Sequence, residues 1–297
     1  MKQYYSAVGL QRLCRLFGKS RQAAYDHAWR SSNAQMQQAI IIDLVKQIRT
    51  TLPKTGTLKL HSMTRGQLRL HGITIGRDSF YRLLRNNEML IRRTKKYVRT
   101  TDSDHHYRKW PDLTGDILLT AAQQLWVSDI TYLRITSGFI YLSLVTDAYS
   151  HKIVGYHLSQ HLKASSCLIA LDKAIAVRST TLQLLIHHSD RGIQYCCDLY
   201  VSRLLQHRIS ISMTQSGSPY ENPVAERVNG ILKTELGLDK TFASYSQAVG
   251  FTHHAIDAYN RIRLHMSCGN LTPQQAHLQT GIIKKLWKSK KQPVKPF

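Results

Sequence analysis

Three acidic residues, Asp129, Asp190 and Glu226, have the type and spacing that could support chemistry together. Asp129 lies inside the apolar segment WVSDITYL, Asp190 follows the apolar segment TLQLLIHHS, and Glu226 lies one turn into a predicted helix that begins NPVAER. In sequence, 35 residues separate Asp190 from Glu226. Three carboxylates that meet on folding would form a hard oxygen site suited to Mg²⁺. Paired ions about 3.5–4 Å apart clamp the attacking and leaving oxygens of a phosphoryl transfer.

Each acid alone also has an ordinary structural explanation. Asp129 could face water on an edge strand, and Asp190 could cap the next helix. Glu226 could be a favourable charge near a helix N-terminus, where it would contribute about 0.3–1 kcal/mol. For any single residue these explanations are the commoner ones. Two strand positions and one helix position that can converge favour a shared site.

The charge of the chain indicates a polyanionic partner. The 297 residues carry a formal net charge of +23, an excess larger than solubility requires, and 42% of them are hydrophobic, which is enough for a sizeable core. A merely basic protein of ribosomal type is the alternative, but such a protein needs no acidic constellation.

The cysteines and the hydropathy of the chain argue against several classes of protein, namely disulfide-rich, zinc-binding, membrane and secreted proteins. The five cysteines are scattered and odd in number, without a C-x-x-C pair, which argues against a disulfide framework and a zinc site. No apolar run reaches the ~18 residues of a membrane span, and no signal-peptide pattern follows Met1. We expect a cytoplasmic, nucleoid-associated protein with no membrane partner.

The first part of the chain is predicted to be helical. Residues 8–30 are typical of a helix-turn-helix in which Ser20 caps the second helix, so Arg21, Gln22 and Tyr25 would begin a recognition helix that contacts DNA. An ordinary helical hairpin remains the alternative. Further helices are predicted over 35–52, 63–71 and 78–87, the last capped by Asp78 and forming, with the one before it, a second small helix-turn-helix unit.

From Trp126 onward the pattern changes to strands. Runs rich in β-branched and aromatic residues predict three strands over 126–133, 138–149 and 152–159, joined by short turns into an antiparallel meander. A helix over 163–177, a buried strand over 181–188, a helix over 194–207 and a strand over 208–213 should follow. Asn222 and Pro223 are suited to begin a helix that runs to about 236, before another over 245–261.

Several of these strings together carry a resemblance to a known family. WVSDITYL, YLSLVTDAYSHKIVGY, HSDRGIQY, NPVAERVNGILKTEL and YNRIRLHMSCGNLTPQQA resemble the integrase core of bacterial insertion-sequence transposases. The chain is similar to the product of the downstream of two overlapping reading frames, in the superfamily that includes retroviral integrases. The resemblance implies an α/β fold, with a ribonuclease-H-like mixed sheet flanked by helices and preceded by a small helix-turn-helix DNA-binding region.

The resemblance also implies an activity and a metal. Asp129, Asp190 and Glu226 would bind two Mg²⁺ ions, for which Mn²⁺ could substitute, and Lys233 would contact DNA near the reacting end. The enzyme would cut DNA at an element end and transfer the freed 3′-hydroxyl to target DNA. Glu221 and Glu235 are rivals for the third acid, although the spacing favours Glu226. A non-catalytic DNA-binding regulator from a truncated transposase, or a nuclease of the same fold, are the alternatives.

The expected partners are double-stranded DNA, as terminal inverted repeats and target, and the upstream-frame protein, either fused by frameshifting or as a separate chain. We also expect a homo-oligomer on DNA. The expected domains are a helical region over 1–90, a basic linker over 91–114, the catalytic core over 115–280 and a disordered basic tail over 281–297. The linker, in which basic residues alternate with Tyr97, Tyr107 and Trp110, could lie along a phosphate backbone or be a solvated loop.

Overall fold

The computed structural model describes residues 8–91, 107–115, 117–179, 184–215 and 221–286. The chain divides into two compact units: one comprises residues 1–50 and 55–92, and the other residues 51–54 and 93–297. Most of the predicted linker and tail, and the predicted loop over 217–220, lie outside the described residues. The predicted domain boundaries therefore stay predictions.

The first unit is helical. Its elements are α1 (Leu10–Leu16), α2 (Arg21–Thr51), α3 (Thr57–Leu70) and α4 (Arg77–Asn86). The C-terminal half of α2 packs with α3 and α4 around a buried apolar cluster that includes Val45, Leu60, Phe80 and Leu84.

Two sequence predictions in this unit are wrong in detail. The break expected between the second helix of 8–30 and the helix over 35–52 does not exist, since α2 is a single helix of 31 residues. The intervening residues include no Gly or Pro, and Ser and Asn only weaken a helix without stopping it. Asp78 does not cap α4, because Gly76 occupies the cap position and Asp78 pairs with Arg77 at 2.9 Å.

The second unit is built on a mixed sheet. Among the described residues, six strands have the order β3-β2-β1-β4-β5, with β6 beside β1. The strands β1, β2 and β3 form the predicted antiparallel meander, whereas β4 and β5 run parallel to β1. The strand bounds are β1 (Leu125–Ile135), β2 (Gly138–Asp147), β3 (Ile153–Ser159), β4 (Leu185–Ser189), β5 (Ile209–Met213) and β6 (Thr241–Phe242).

Helices supply the crossovers between the parallel strands and cover the sheet. They are α5 (Ala164–Ala176), α6 (Ile193–Cys196), α7 (Asp198–Gln206), α8 (Pro223–Thr234), α9 (Tyr245–Arg261) and α10 (Pro273–Ala276). The predicted single helix over 194–207 is divided at Cys197, whose backbone is extended. The fold prediction, a ribonuclease-H-like mixed sheet flanked by helices and preceded by a helical region, is confirmed.

Residues 107–115 belong to the second unit. Tyr107 and Trp110 pack against the apolar cluster of the sheet, and the carbonyl of Pro111 accepts a hydrogen bond from the backbone of Met213 at 3.3 Å. This segment packs along the β5 edge of the sheet, so for these residues the solvated loop is wrong, and contact with a phosphate backbone stays a prediction. Within the described part of the chain, no helix combines the length and apolar character needed to cross a membrane.

Candidate active site

The sheet places Asp129 beside Asp190. Strands β1 and β4 pair in parallel, with Val127 opposite His188. Asp129 lies two residues further along β1, and Asp190 lies two residues after His188, directly beyond the end of β4. Continuing the register therefore sets them opposite each other, and neighbouring strands are about 4.8 Å apart. Side chains at alternate positions share a face of the sheet. The two carboxylates therefore lie on the same face, at the end where β4 stops.

Helix α8 brings Glu226 to the same region. The side-chain amide of Asn222, just before the helix, donates to the carbonyl oxygen of Ser128 at 3.1 Å. One turn after Glu226, the Asn229 amide donates to Oδ2 of Asp129 at 2.6 Å. Residues three apart share a helix face, so Glu226 is on the side of α8 that faces β1. The predicted start of the helix at Pro223 is confirmed, but the Asn222 side chain bonds to β1 and does not cap.

The pKa values of the two aspartates reflect this proximity. Burial raises the pKa of Asp129 to about 7, helped by the negative charge of Asp190 and, more weakly, by that of Glu226. Hydrogen bonds from the Ile130 backbone, at 2.9 Å, and from Asn229 oppose this rise. Burial also raises the pKa of Asp190. Near neutral pH the pair therefore resists full ionisation, which a nearby cation would favour.

The donor set suits a divalent metal ion, although it is not gathered into a cage. Among the residues that the structure describes, no group of three or more His, Cys, Asp or Glu side chains is close enough to hold a metal. Asp129 and Asp190 are adjacent, whereas the Glu226 side chain is exposed. Like-charged carboxylates repel at short range, so a divalent cation is the partner that would draw Glu226 toward the aspartates. All three supply the oxygen ligands that Mg²⁺ prefers.

Lys233 lies two turns beyond Glu226 on α8. Its Nζ atom lies 4.3 Å from the centroid of the Tyr132 ring on β1. Burial lowers the pKa of Lys233, and the negative charge of Asp129 raises it. The ammonium group is therefore within electrostatic reach of the acidic pair.

The two rival glutamates are engaged elsewhere. The carboxylate of Glu221 accepts a hydrogen bond from the backbone of Gln215. Glu235 accepts two hydrogen bonds from Arg263, at 2.9 and 3.0 Å. These contacts favour Glu226 as the third acid.

The DNA-contact candidates Arg21, Gln22 and Tyr25 lie in the first unit, at the start of α2, and are exposed. Ser20 caps this helix as predicted, because its Oγ accepts from the Ala23 backbone at 3.0 Å. The Gln22 amide donates to Asp26 at 2.8 Å. The structure therefore leaves this helix start accessible.

Sequence reasoning missed two polar residues of the site, Asn229 and His188. Both are buried, with Asn229 bonded to Asp129 and His188 two positions before Asp190. The available signals were a polar residue one turn after Glu226, on the same helix face, and a histidine inside an apolar strand that ends at an acid.

Comparisons with known proteins show what this chain is similar to. Two family models, both described as Integrase core domain, match residues 120–219 and 207–273. The chain is 31% identical to the Insertion element IS600 uncharacterized 31 kDa protein of Shigella sonnei, over 88% of this chain and 96% of that protein. It is 34% identical to the Putative transposase for insertion sequence element IS986/IS6110 of Mycobacterium tuberculosis, over 69% and 76%. Among solved structures, the HTLV-2 integrase catalytic core domain in complex with magnesium matches with a TM-score of 0.42 and 16% identity, over 53% of this chain and 97% of that one.

Proposed function

The chain belongs to the insertion-sequence transposases with an integrase core, and from that premise we propose that Asp129, Asp190 and Glu226 are its catalytic, metal-binding residues. The observation that carries the proposal is the register of β1 and β4, which, continued by two residues, sets Asp129 beside Asp190 where β4 ends. The placement of Glu226 on the β1-facing side of α8 supports it.

The chain's own residues would position the metal ions and the DNA and would neutralise the negative charge of the reacting phosphate. Asp129, Asp190 and Glu226 would hold the metal, and the Asn229 amide fixes one oxygen of Asp129. When bound, two Mg²⁺ ions, which Mn²⁺ could replace, would lower the pKa of the attacking water or 3′-hydroxyl and stabilise the leaving 3′-oxygen. Little covalent work remains for the protein in such a phosphoryl transfer. Lys233 would contact a DNA phosphate beside the reacting end, because its ammonium lies near Asp129.

The first unit would bind DNA through exposed basic side chains, among them Arg21 on α2 and Arg82 on α4. The exposed side chains of Gln22 and Tyr25, beside Arg21, would contact the DNA as well. Removing one cation that neutralises a phosphate should reduce the slope of log affinity against log salt by about 0.9. Arg21→Ala and Arg82→Ala should therefore flatten the salt dependence of binding to an element-end duplex, whereas Arg261→Ala, which removes a positive charge from the second unit, should not. Unchanged slopes in the first two variants would refute this assignment.

The partners of the reaction would be the terminal inverted repeats and target DNA, held by an oligomer of the chain at the nucleoid. We further propose that the upstream-frame protein, fused or separate, completes the enzyme. The alternative function, a non-catalytic regulator from a truncated transposase, is not favoured, since the integrase-core match extends over residues 120–273.

Joining of a labelled element-end oligonucleotide to target DNA in Mg²⁺ tests the proposal. The wild type, supplied with the upstream-frame protein, should give joined products, and Asp190→Asn should abolish them. Asp257→Asn, which removes an exposed carboxylate on α9, is the matched control and should remain active. Wild-type joining by Asp190→Asn would overturn the assignment, and cleaved ends that are never joined would favour a nuclease.

A further inference from the structure

His188 is a buried histidine on β4 whose two ring nitrogens are both engaged. Its exposed fraction is 1%. Nε2 lies 3.1 Å from the backbone carbonyl oxygen of Glu221, and Nδ1 lies 2.8 Å from the hydroxyl of Ser212 on β5. Burying a histidine without satisfying its nitrogens would be costly, so these partners account for its presence inside an apolar strand.

The partners determine which nitrogen carries the proton. A carbonyl oxygen can only accept, so Nε2 of His188 donates to Glu221. In the neutral ring Nδ1 is then an acceptor. The Ser212 hydroxyl donates to it at 2.8 Å, the nearer of its two acceptors, since Oδ1 of Asp112 lies 3.4 Å away. The same Ser212 oxygen accepts from the backbone N–H of Leu113 at 2.8 Å. The result is a directional chain of hydrogen bonds that runs from the segment 107–115 through β5 and β4 to Glu221.

The end of this chain lies directly before α8. Glu221 precedes Asn222, whose side chain bonds to Ser128 on β1. The start of α8 is thus tied to β4 by His188, to β1 by Asn222 and, through the Glu221 carboxylate, to the backbone of Gln215. Glu226 lies in the first turn of that helix, so the placement of the helix start controls where the Glu226 carboxylate can reach.

We propose that His188 is a positioning residue of the active site, which holds the start of α8 where Glu226 can share a metal ion with Asp129 and Asp190. This inference rests on the proposed function of those three acids. His188 reaches the start of α8 through its bond to the Glu221 carbonyl, so it would act on Glu226 through that contact. Groups that orient metal ligands in this way typically change metal affinity or activity by about 10–100-fold when removed.

Two substitutions separate the two nitrogens. A glutamine places its amide nitrogen near the position of Nε2, so His188→Gln keeps a donor for Glu221. An asparagine reaches only as far as Nδ1, so His188→Asn keeps a polar contact with Ser212 and loses the bond to Glu221. Both remove one buried hydrogen bond and should lower stability similarly. His188→Phe keeps the packing of a ring without a donor and is the second variant that lacks the Glu221 bond.

The readouts are the Mn²⁺-dependent shift in melting temperature of the full chain without DNA, and the Mg²⁺ concentration that half-saturates joining. His188→Asn and His188→Phe should raise the half-saturating metal concentration about 10-fold in both assays, whereas His188→Gln should remain within about 3-fold of the wild type. Equal shifts in all three variants, or none, would overturn the inference and leave His188 a purely structural residue.

Asp190→Asn distinguishes this failure from failure of the proposed function. If Asp190→Asn keeps the Mn²⁺ response and joining, the metal site itself is wrong, and the inference fails with it. If Asp190→Asn loses both while His188→Asn and His188→Phe retain wild-type metal dependence, only the inference about His188 fails.

Discussion

Glu226 and Glu235 are two glutamates of one short segment for which the structure predicts opposite consequences of substitution. The carboxylate of Glu235 receives two hydrogen bonds from Arg263, whose side chain is only 3% exposed. Glu226 is exposed on α8, and its negative charge raises the pKa of Asp129. We therefore expect Glu235→Gln to damage the fold and Glu226→Gln to damage catalysis.

The magnitudes follow from the two environments. Removing one member of a buried ion pair leaves an uncompensated charge and costs about 3–5 kcal/mol. At about 2–4 °C per kcal/mol for a unit of this size, Glu235→Gln should lower the melting temperature by roughly 6–20 °C. Glu226→Gln removes an exposed charge and should change stability by less than about 0.5 kcal/mol. Loss of the carboxylate proposed to bind the metal should slow joining about 10³-fold, equivalent to roughly 4 kcal/mol in the barrier.

Two measurements separate these outcomes: the free energy of unfolding from urea titration, and the joining rate at a temperature where each variant is folded. Glu235→Gln should join DNA at close to the wild-type rate once it is folded, and Glu226→Gln should be stable and inactive. The reverse pattern, a stable but inactive Glu235→Gln beside an active Glu226→Gln, would refute the assignment of the third acid.

Two further predictions concern stability. A Cβ on Gly155 would lie 2.1 Å from the carbonyl oxygen of Ala170 on α5, so Gly155→Ala should cost about 3 kcal/mol by overpacking. Gly250→Ala, in open space on α9, should stabilise by about 0.5–1 kcal/mol; thermal unfolding that shows equal effects would contradict this. Burial favours the neutral form of Asp147, but the His277 imidazole 3.8 Å away and hydrogen bonds from Gln123 and Ser150 hold its pKa below the usual value. Ionised Asp147 therefore stabilises the fold above about pH 4, and that stability is lost as the pH falls through the folded-state pKa; urea titrations across this range should show the loss, which Asp147→Asn should largely remove.

The bounds of strands and helices could be predicted where neighbouring residues in the sequence determine them. The strands β1, β2 and β3 begin and end within two residues of their predicted bounds, because alternating β-branched and aromatic residues and two short turns define them. The division of 194–207 at Cys197 was not predictable, since Cys197 is neither Gly nor Pro and its extended backbone is set by the surrounding packing.

The candidate site was predictable in its residues and not in its contacts. Parallel pairing of β1 with β4 joins segments about 60 residues apart through a crossover, which alternation within either strand cannot indicate. Asn222 illustrates the same limit on a smaller scale. Its residue type and its position before Pro223 predict a helix cap. Its amide instead donates to a backbone carbonyl on β1, a contact that the local sequence cannot indicate.

The orientation of α8 shows why such contacts matter for function. The helix buries Val228, Ile231 and Leu232 against the unit, and apolar packing of this kind is non-directional, so it would tolerate small rotations of the helix. The bonds of Asn222 to the Ser128 carbonyl and of Asn229 to Asp129 are directional and satisfied in one rotational setting only. Apolar burial therefore supplies much of the stability of α8, and the buried polar contacts select the setting in which Glu226 faces the aspartates. Substituting an apolar residue for Asn222 should accordingly preserve helix content while lowering metal affinity.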